Sequence, residues 1–138
     1  MAVELLYWEP RGAGQQVRSV TSVAEVQTLA DELLARYQAA GDILPGIELR
    51  RRGGGESLSI AVAPIGWALV HTDEDFNQHC TEQEGMSGDE SADDVRWEEP
   101  TSVPRRWFVS EETAAGGVAQ WLADGSLATD LLWSDRCY

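Results

Sequence analysis

Residues 22–41, SVAEVQTLADELLARYQAAG, carry the clearest folding signal in the sequence. Ser22 and Glu25 form an S-x-x-E capping box, in which both side chains accept hydrogen bonds from free backbone amides at a helix start. The apolar positions recur at spacings of three and four and form one stripe: Val23, Val26, Leu29, Ala30, Leu33 and Tyr37. Gly41 is a suitable stop. The pattern predicts a helix whose apolar face packs on a sheet.

The stretch after this helix predicts a three-stranded antiparallel meander. Residues 57–63, SLSIAVA, have the period of two expected of a strand with one buried face, and two further candidate strands flank them at 47–51 and 67–72. The Gly53-Gly54-Gly55 tract supplies the positive φ of the first turn. A phosphate-binding loop is disfavoured there, because no helix with Lys or Ser/Thr follows.

The N-terminal segment predicts an opening hairpin. Val3–Trp8 is apolar and aromatic and ends at Pro10 and a Gly-Ala-Gly turn, after which residues 16–20 are again extended. The segment lacks the pattern of a signal peptide, and no apolar run is long enough to span a membrane. We therefore expect a cytoplasmic protein with no membrane partner.

A second helix is predicted over residues 111–123. Ser110 is its cap, Glu111 and Glu112 occupy the first turn, where carboxylates favour the helix dipole, and Gly125 ends it. Before it, we expect a strand around residues 95–98, a turn bracketed by two prolines at 100 and 104, and an extended stretch at 105–109. Residues 128–133 are predicted to be the last strand.

These elements predict a single domain, residues 1–138, of the α+β class. We expect an antiparallel sheet of about five to seven strands, with two helices packed on one face. The chain is long enough for one substantial core and too short for two. Whether it is a monomer or a homodimer is left open by the sequence.

An acidic segment interrupts this pattern. Residues 73–99 contain eleven of the 24 acidic residues and a single basic residue, Arg96. Residues 82–94 have almost no apolar content, so we predict a mobile acidic loop over about 73–94.

The charge of the whole chain points to the class of partner. The formal net charge is −14, which repels nucleic acid and anionic membranes and attracts cationic proteins. All ten basic residues are arginine, so lysine-based Schiff-base chemistry is excluded. A cationic protein is the expected partner, and direct binding to nucleic acid is not expected.

The candidate partner-binding residues are the carboxylates of the acidic segment and two tryptophans close to it. Tryptophan is enriched among interface hot spots, although packing in the core is the alternative for each tryptophan here. The candidates are Asp73, Glu74, Asp75, Glu82, Glu84, Asp89, Glu90, Asp93, Asp94, Trp97 and Trp107.

Three patterns in the sequence resemble a catalytic or metal site, but each lacks a feature that such a site requires. Residues 73–84 place oxygen ligands at five positions of a calcium loop, but the sixth position is Gln78, where the loop requires glycine. His71, His79 and Cys80 lack the pair spacing of a zinc site and the orientation of a Cys–His catalytic pair. We predict no catalytic residue, no metal and no cofactor.

The two cysteines, Cys80 and Cys137, do not form a CxxC motif. In a chain of this size from the expected compartment, we predict two reduced thiols, with a Cys80–Cys137 disulfide as the alternative.

Residues 97–133, WEEPTSVPRRWFVSEETAAGGVAQWLADGSLATDLLW, resemble the C-terminal motif of the type-one Imm family, the immunity proteins of bacterial polymorphic toxin systems. The motif runs through a proline-containing turn, an extended segment, an alanine-containing helix that ends at glycine, and a closing strand that ends in tryptophan. Pro104, Gly125 and Trp133 occupy its structural positions here.

The resemblance implies that the protein binds and neutralises a cognate toxin, often a deaminase or nuclease that acts on nucleic acid. The acidic charge agrees with this, because such a toxin needs a cationic surface. The alternative is a non-catalytic interaction or regulatory module whose acidic segment is only a linker.

Overall fold

The computed structural model describes residues 3–12, 14–83 and 91–137. Within these residues, ten strands and two helices form an α+β fold. The strands are β1 (Val3–Trp8), β2 (Gln15–Val20), β3 (Leu44–Arg51), β4 (Ser57–Ala63), β5 (Gly66–Thr72), β6 (Gln78–Thr81), β7 (Ala92–Arg96), β8 (Pro100–Pro104), β9 (Phe108–Val109) and β10 (Trp133–Ser134). The helices are α1 (Val23–Ala40) and α2 (Glu111–Asp124).

The main path of the sheet has seven strands, in the order β10-β6-β5-β4-β3-β1-β2. Every pair along this path is antiparallel. Strand β9 pairs with β5, and the β7–β8 hairpin joins through a short parallel contact between β7 and β3. The predicted α+β class is confirmed, and the main path reaches the upper end of the predicted number of strands.

Both helices pack on the same face of the sheet, as predicted. The two caps of α1 are those expected: Ser22 Oγ accepts a hydrogen bond from Glu25 N–H, and Gly41 has a φ of +64°. The apolar stripe of α1 and the buried face of α2 form one core with the sheet. Trp67 from β5 and Trp121 from α2 are fully buried there.

The β7–β8 hairpin covers part of the opposite face and encloses a second core. Its own residues Val95 and Val103 are completely buried in this core, together with Trp107. Trp97 lies against Gly46, where any larger residue would collide with the indole ring, and its Nε1–H donates to the carbonyls of Ile47 and Ile60 at 3.2 Å each. This hairpin is therefore fixed by packing and by hydrogen bonds.

An ion pair joins this hairpin to the end of α1. Arg96 Nη2 donates to Asp42 Oδ1 at 3.0 Å, and the Asp42 side chain is only 8% exposed. Burial raises the pKa of Asp42, but hydrogen bonds from Arg11 N–H, Arg96 and Ile43 N–H outweigh it, so the pKa lies below its usual value.

Four sequence predictions are wrong in detail. The predicted mobile loop over 73–94 is interrupted by β6 and by the start of β7, because residues 78–81 pair with β5 and β10. Pro100 and Pro104 lie at the two ends of β8 and do not bracket a turn. The predicted last strand at 128–133 is irregular up to Trp133, and residues 105–107 form a 3-10 turn.

Neither helix in the described part of the chain is long and apolar enough to cross a membrane.

Candidate protein-binding surface

The turn between β5 and β6, residues 73–77, is held by one side chain. Asp73 Oδ1 accepts hydrogen bonds from Asp75 N–H and Asn77 N–H, both at 2.9 Å. Backbone hydrogen bonds of 3.0 Å join Asp73 N–H to Asn77 O and Phe76 N–H to Asp73 O. The hydrogen bond from Asn77 N–H is the largest cause of the lowered pKa of Asp73. We call residues 73–77 the Phe76 turn.

Phe76 is the unusual residue of this turn. Its side chain is 84% exposed, and its φ is +65°, in the left-handed region that bulky residues rarely adopt. This backbone conformation costs a non-glycine residue about 1–2 kcal/mol. A glycine or asparagine would fit the turn better, and the exposed ring adds nothing to the core. Folding does not explain phenylalanine here, whereas strained and exposed residues are frequent at functional sites.

Two carboxylates immediately precede Phe76 in the chain. Glu74 and Asp75 are exposed, and neither forms an ion pair with any residue that the structure describes. The β3–β4 loop supports them from one side, because a Cβ atom on Gly55 would lie only 3.4 Å from Glu74 Cα. The turn therefore presents an aromatic side chain next to two unneutralised charges on a supported backbone.

A recess of about 470 Å³ adjoins the Phe76 turn. Its floor is a row of polar side chains that lie side by side across four strands: Glu4, Arg50, Ser57 and Thr72. The arginines are neutralised within the recess, since Arg50 pairs with Glu48 at 3.1 Å and Arg52 with Glu4 at 3.4 Å. The negative charge available to a partner is therefore at the turn and not on the floor.

The other candidate carboxylates are arranged differently. Arg105 donates to both carboxylate oxygens of Asp93 at 2.9 and 3.0 Å, and Arg106 lies 3.9 Å from Glu82. Asp94 is exposed on β7. The remaining three, Glu84, Asp89 and Glu90, lie outside the described residues. The candidate carboxylates thus divide into an unpaired group at the turn and a group that is partly paired with arginine.

The two candidate tryptophans are not surface anchors. Trp107 is completely buried, so the prediction that it could contact a partner is wrong. Trp97 is only partly exposed, and its ring is committed to Gly46 and two sheet carbonyls. Sequence reasoning chose the tryptophans and missed Phe76, although its position inside an Asp-x-Asp-x-Asn turn sequence was a usable signal.

The motif positions at the C-terminal end have structural roles. Pro104 precedes the 3-10 turn at Arg105–Trp107, and Gly125 ends α2 with a φ of +78°. Trp133 pairs with Thr81 in the sheet and donates from Nε1 to Ala128 O at 2.9 Å.

A polar cluster lies under the far end of α2. The Arg51 guanidinium stacks on Trp121, 4.5 Å from the ring centroid, and Glu56 accepts from His71 Nε2 at 3.0 Å. The first contact joins the end of β3 to α2, and the second joins the β3–β4 loop to β5. They bring no nucleophile next to a base.

The residue pattern of a calcium loop does not fold as one. Thr81, its ninth position, is buried in β6, where Oγ1 donates to Trp107 O at 2.7 Å and accepts from Leu69 N–H at 3.0 Å. No group of three or more His, Cys, Asp or Glu side chains in the described residues is arranged to hold a metal ion.

Cys80 and Cys137 are both free and buried. Their sulfur atoms lie 3.7 and 3.5 Å from the same acceptor, the Ser134 carbonyl oxygen. Burial is the main cause that raises the pKa of each thiol, so both are protonated at neutral pH.

No protein-family model matches the sequence, and no curated protein matches it significantly. The likeness to the Imm family therefore stays a prediction from the C-terminal motif.

Proposed function

We propose that this protein binds and inactivates a cationic protein, and that the Phe76 turn is part of its contact surface. The observation that carries the proposal is an exposed aromatic ring at positive φ, directly after two exposed carboxylates that form no ion pair with a described residue. An aromatic residue on a preorganised backbone loses little conformational freedom on binding, which favours its use as an anchor. Carboxylates beside it select a partner of opposite charge.

The best-supported partner class is a toxin that acts on nucleic acid. Such an enzyme carries a cationic groove, and this chain has a net charge of −14. Long-range attraction between the two would raise the association rate roughly 10- to 1000-fold at low salt. The C-terminal motif that resembles the Imm family supports the same function, with inhibition achieved by occlusion and with no catalytic step.

The alternative is a non-catalytic interaction or regulatory module whose acidic segment acts as a linker. The pairing of Asp93 with Arg105 favours it for that part of the segment, because those charges serve the fold. This alternative gives no special role to Phe76.

The test is co-expression in a bacterial host with the product of the reading frame next to this gene. If that product is a toxin, the wild-type protein should restore growth and should form a complex with it. Phe76→Asn should weaken the complex about tenfold or more, as expected when a hot-spot aromatic residue is truncated.

Ile65→Asn is the matched control, because Ile65 is also an exposed apolar residue in a turn, at 66% exposure, at the opposite end of β5. It should bind like wild type. A neighbouring product that is not toxic, or that the protein does not inhibit, would contradict the toxin as partner. Equal binding by Phe76→Asn and wild type would remove the turn from the contact surface.

A further inference from the structure

The two edges of the main sheet differ in length and exposure. Strand β10 ends one side with only two residues, whereas β2 ends the other with six. The first five side chains of β2, Gln15 to Ser19, are all exposed. Very short edge strands are a common protection against pairing with other chains. By that criterion β10 is protected and β2 is open.

The alternation of antiparallel pairs identifies which groups of β2 face outward. Glu9 N–H donates to Gly14 O at 2.9 Å, so positions 9 and 14 form a hydrogen-bonded pair. Because such pairs alternate along an antiparallel ladder, Gln16, Arg18 and Val20 direct their backbone groups to β1. The N–H and C=O groups of Gln15, Val17 and Ser19 therefore face away from the sheet. The edge of β2 therefore offers three backbone N–H donors and three C=O acceptors, and no described strand pairs with them.

The usual devices that block an edge are missing from the described part of β2. It contains no proline, its register with β1 runs through six pairs without a bulge, and it has one charged residue. That residue, Arg18, folds back onto β1, with its guanidinium 5.2 Å from the Tyr7 ring and 3.1 Å from its hydroxyl. Val17 is 58% exposed.

A groove of about 340 Å³ runs between this edge and α1. Its apolar lining residues are Ala24, which is exposed, and Val20 and Leu29, which are almost fully buried; Glu25 and Glu32 stand on its helix side. Neither glutamate forms an ion pair with a described residue, while the one arginine of the groove is turned to Tyr7. A strand added to β2 would project alternate side chains over this groove.

We propose that β2 is a docking edge for an extended segment of a partner protein in which apolar and basic side chains alternate. Backbone hydrogen bonds to residues 15, 17 and 19 would supply the affinity, and the carboxylates of the groove would select basic side chains. The site is about four strands away from β5 and the Phe76 turn, so the inference does not rest on the proposed function.

The probe is an octapeptide of alternating valine and lysine, blocked at both ends, followed by amide hydrogen exchange of the full chain. In the free protein the amides of Gln15, Val17 and Ser19 should exchange rapidly, while those of Gln16 and Arg18 are slow. Saturating peptide should slow the first three by about tenfold or more, as expected for new ladder hydrogen bonds.

Val17→Pro removes one outward N–H and leaves the β1 ladder intact, as proline is tolerated on an outward-facing edge. It should weaken peptide binding by about tenfold, whereas Val17→Thr, which keeps the N–H, and Phe76→Asn should bind as wild type does. The same peptide N-methylated at every residue keeps its side chains but loses its backbone N–H donors, so it should not bind. This experiment uses the wild-type protein and does not depend on the folding of a variant.

Lack of protection at residues 15, 17 and 19 at millimolar peptide would overturn the proposal. Equal binding of a valine–glutamate octapeptide would overturn the commitment to a basic partner. Protection that appears without peptide and grows with protein concentration would show that a second copy of the chain occupies the edge.

Discussion

The two parts of the acidic segment that the structure describes use their charges in opposite ways. At the Phe76 turn, Glu74 and Asp75 stand exposed and unpaired beside an aromatic ring. At the other part, Glu82 and Asp93 face Arg106 and Arg105. Backbone hydrogen bonds join Gln83 to Arg106 and Ser91 to Arg105. The chain on either side of residues 84–90 is therefore attached to the same two arginines.

This difference shows that charge counted along the sequence is not charge available to a partner. A carboxylate that already pairs with an arginine contributes little to recognition. An unpaired carboxylate attracts a cationic partner over long distances. Arg96 is the extreme case, because it neutralises a carboxylate that is almost fully buried.

Replacement of Arg96 by methionine should have the largest effect on stability. It leaves Asp42 nearly buried without its cation, and breaking a buried pair costs about 3–5 kcal/mol. We expect the free energy of unfolding to fall by about 3 kcal/mol, since the Arg96 side chain retains 17% exposure. Urea unfolding at pH 7 measures it. A loss below about 1 kcal/mol would mean that the pair behaves as a surface salt bridge.

The same pair predicts a dependence of stability on pH. The pKa of Asp42 is lower in the folded protein than its usual 3.8, so the unfolded state binds the proton more tightly. The stabilisation is present above the unfolded value and is lost as the pH falls through the folded one. Unfolding of wild type and Arg96→Met at pH 7 and below pH 4 should therefore show the difference between them shrinking in acid. A constant difference would contradict this origin.

Phe76→Asn should raise stability slightly. Asparagine tolerates positive φ, and the exposed ring contributes no buried area, so we expect a gain of up to about 1 kcal/mol. Thermal unfolding measures it. A clear loss of stability would show that phenylalanine is needed by the fold, and the argument for a binding role would lose its basis.

Asp93→Asn should have the smallest effect on stability. The pair with Arg105 is half-exposed, with side-chain exposures of 30% and 52%, and such pairs contribute about 0.2–1 kcal/mol. Chemical unfolding of the variant and of Asp94→Asn, whose carboxylate is exposed on the same strand, separates pairing from charge. Equal effects would mean that the Asp93–Arg105 pair adds nothing.

The parts of the fold that were predicted correctly carry local signals. Helix α1 has its cap, its stripe and its glycine stop within one stretch, and β1 and the β3–β5 meander have continuous apolar patterns and turn residues. Helix α2 was located for the same reason, through Ser110 and Gly125.

The parts that were missed depend on distant partners. Residues 78–81, QHCT, show no strand pattern and become β6 because they pair with β5 and β10 and bury Thr81. Pro100 and Pro104 suggested a turn, yet proline is accommodated at strand ends and edges. The segment before Trp133 is held by packing, since Leu131 fills the space that Gly117 leaves open on α2.

The candidate site was predicted in part, for a similar reason. The sequence made the acidic residues 73–75 candidate contacts, but it could not separate them from Asp93, whose arginine partner is twelve residues away. Nor could it show that Phe76 is exposed and strained, because the Asp73 hydrogen bonds that impose this conformation depend on the turn geometry.

The most direct test of the difference between paired and unpaired carboxylates is the association rate of the cationic partner with two matched double variants, measured at low salt. Glu74→Gln/Asp75→Asn removes the unpaired charges, and Glu82→Gln/Asp93→Asn removes the same number of paired ones. We predict that the first variant associates several-fold more slowly and the second within about twofold of wild type, with the gap closing near roughly 0.15 M salt, where charges are screened beyond about 8 Å. Equal slowing by both variants, or a larger effect of the second, would contradict the division of the acidic segment into available and satisfied charge.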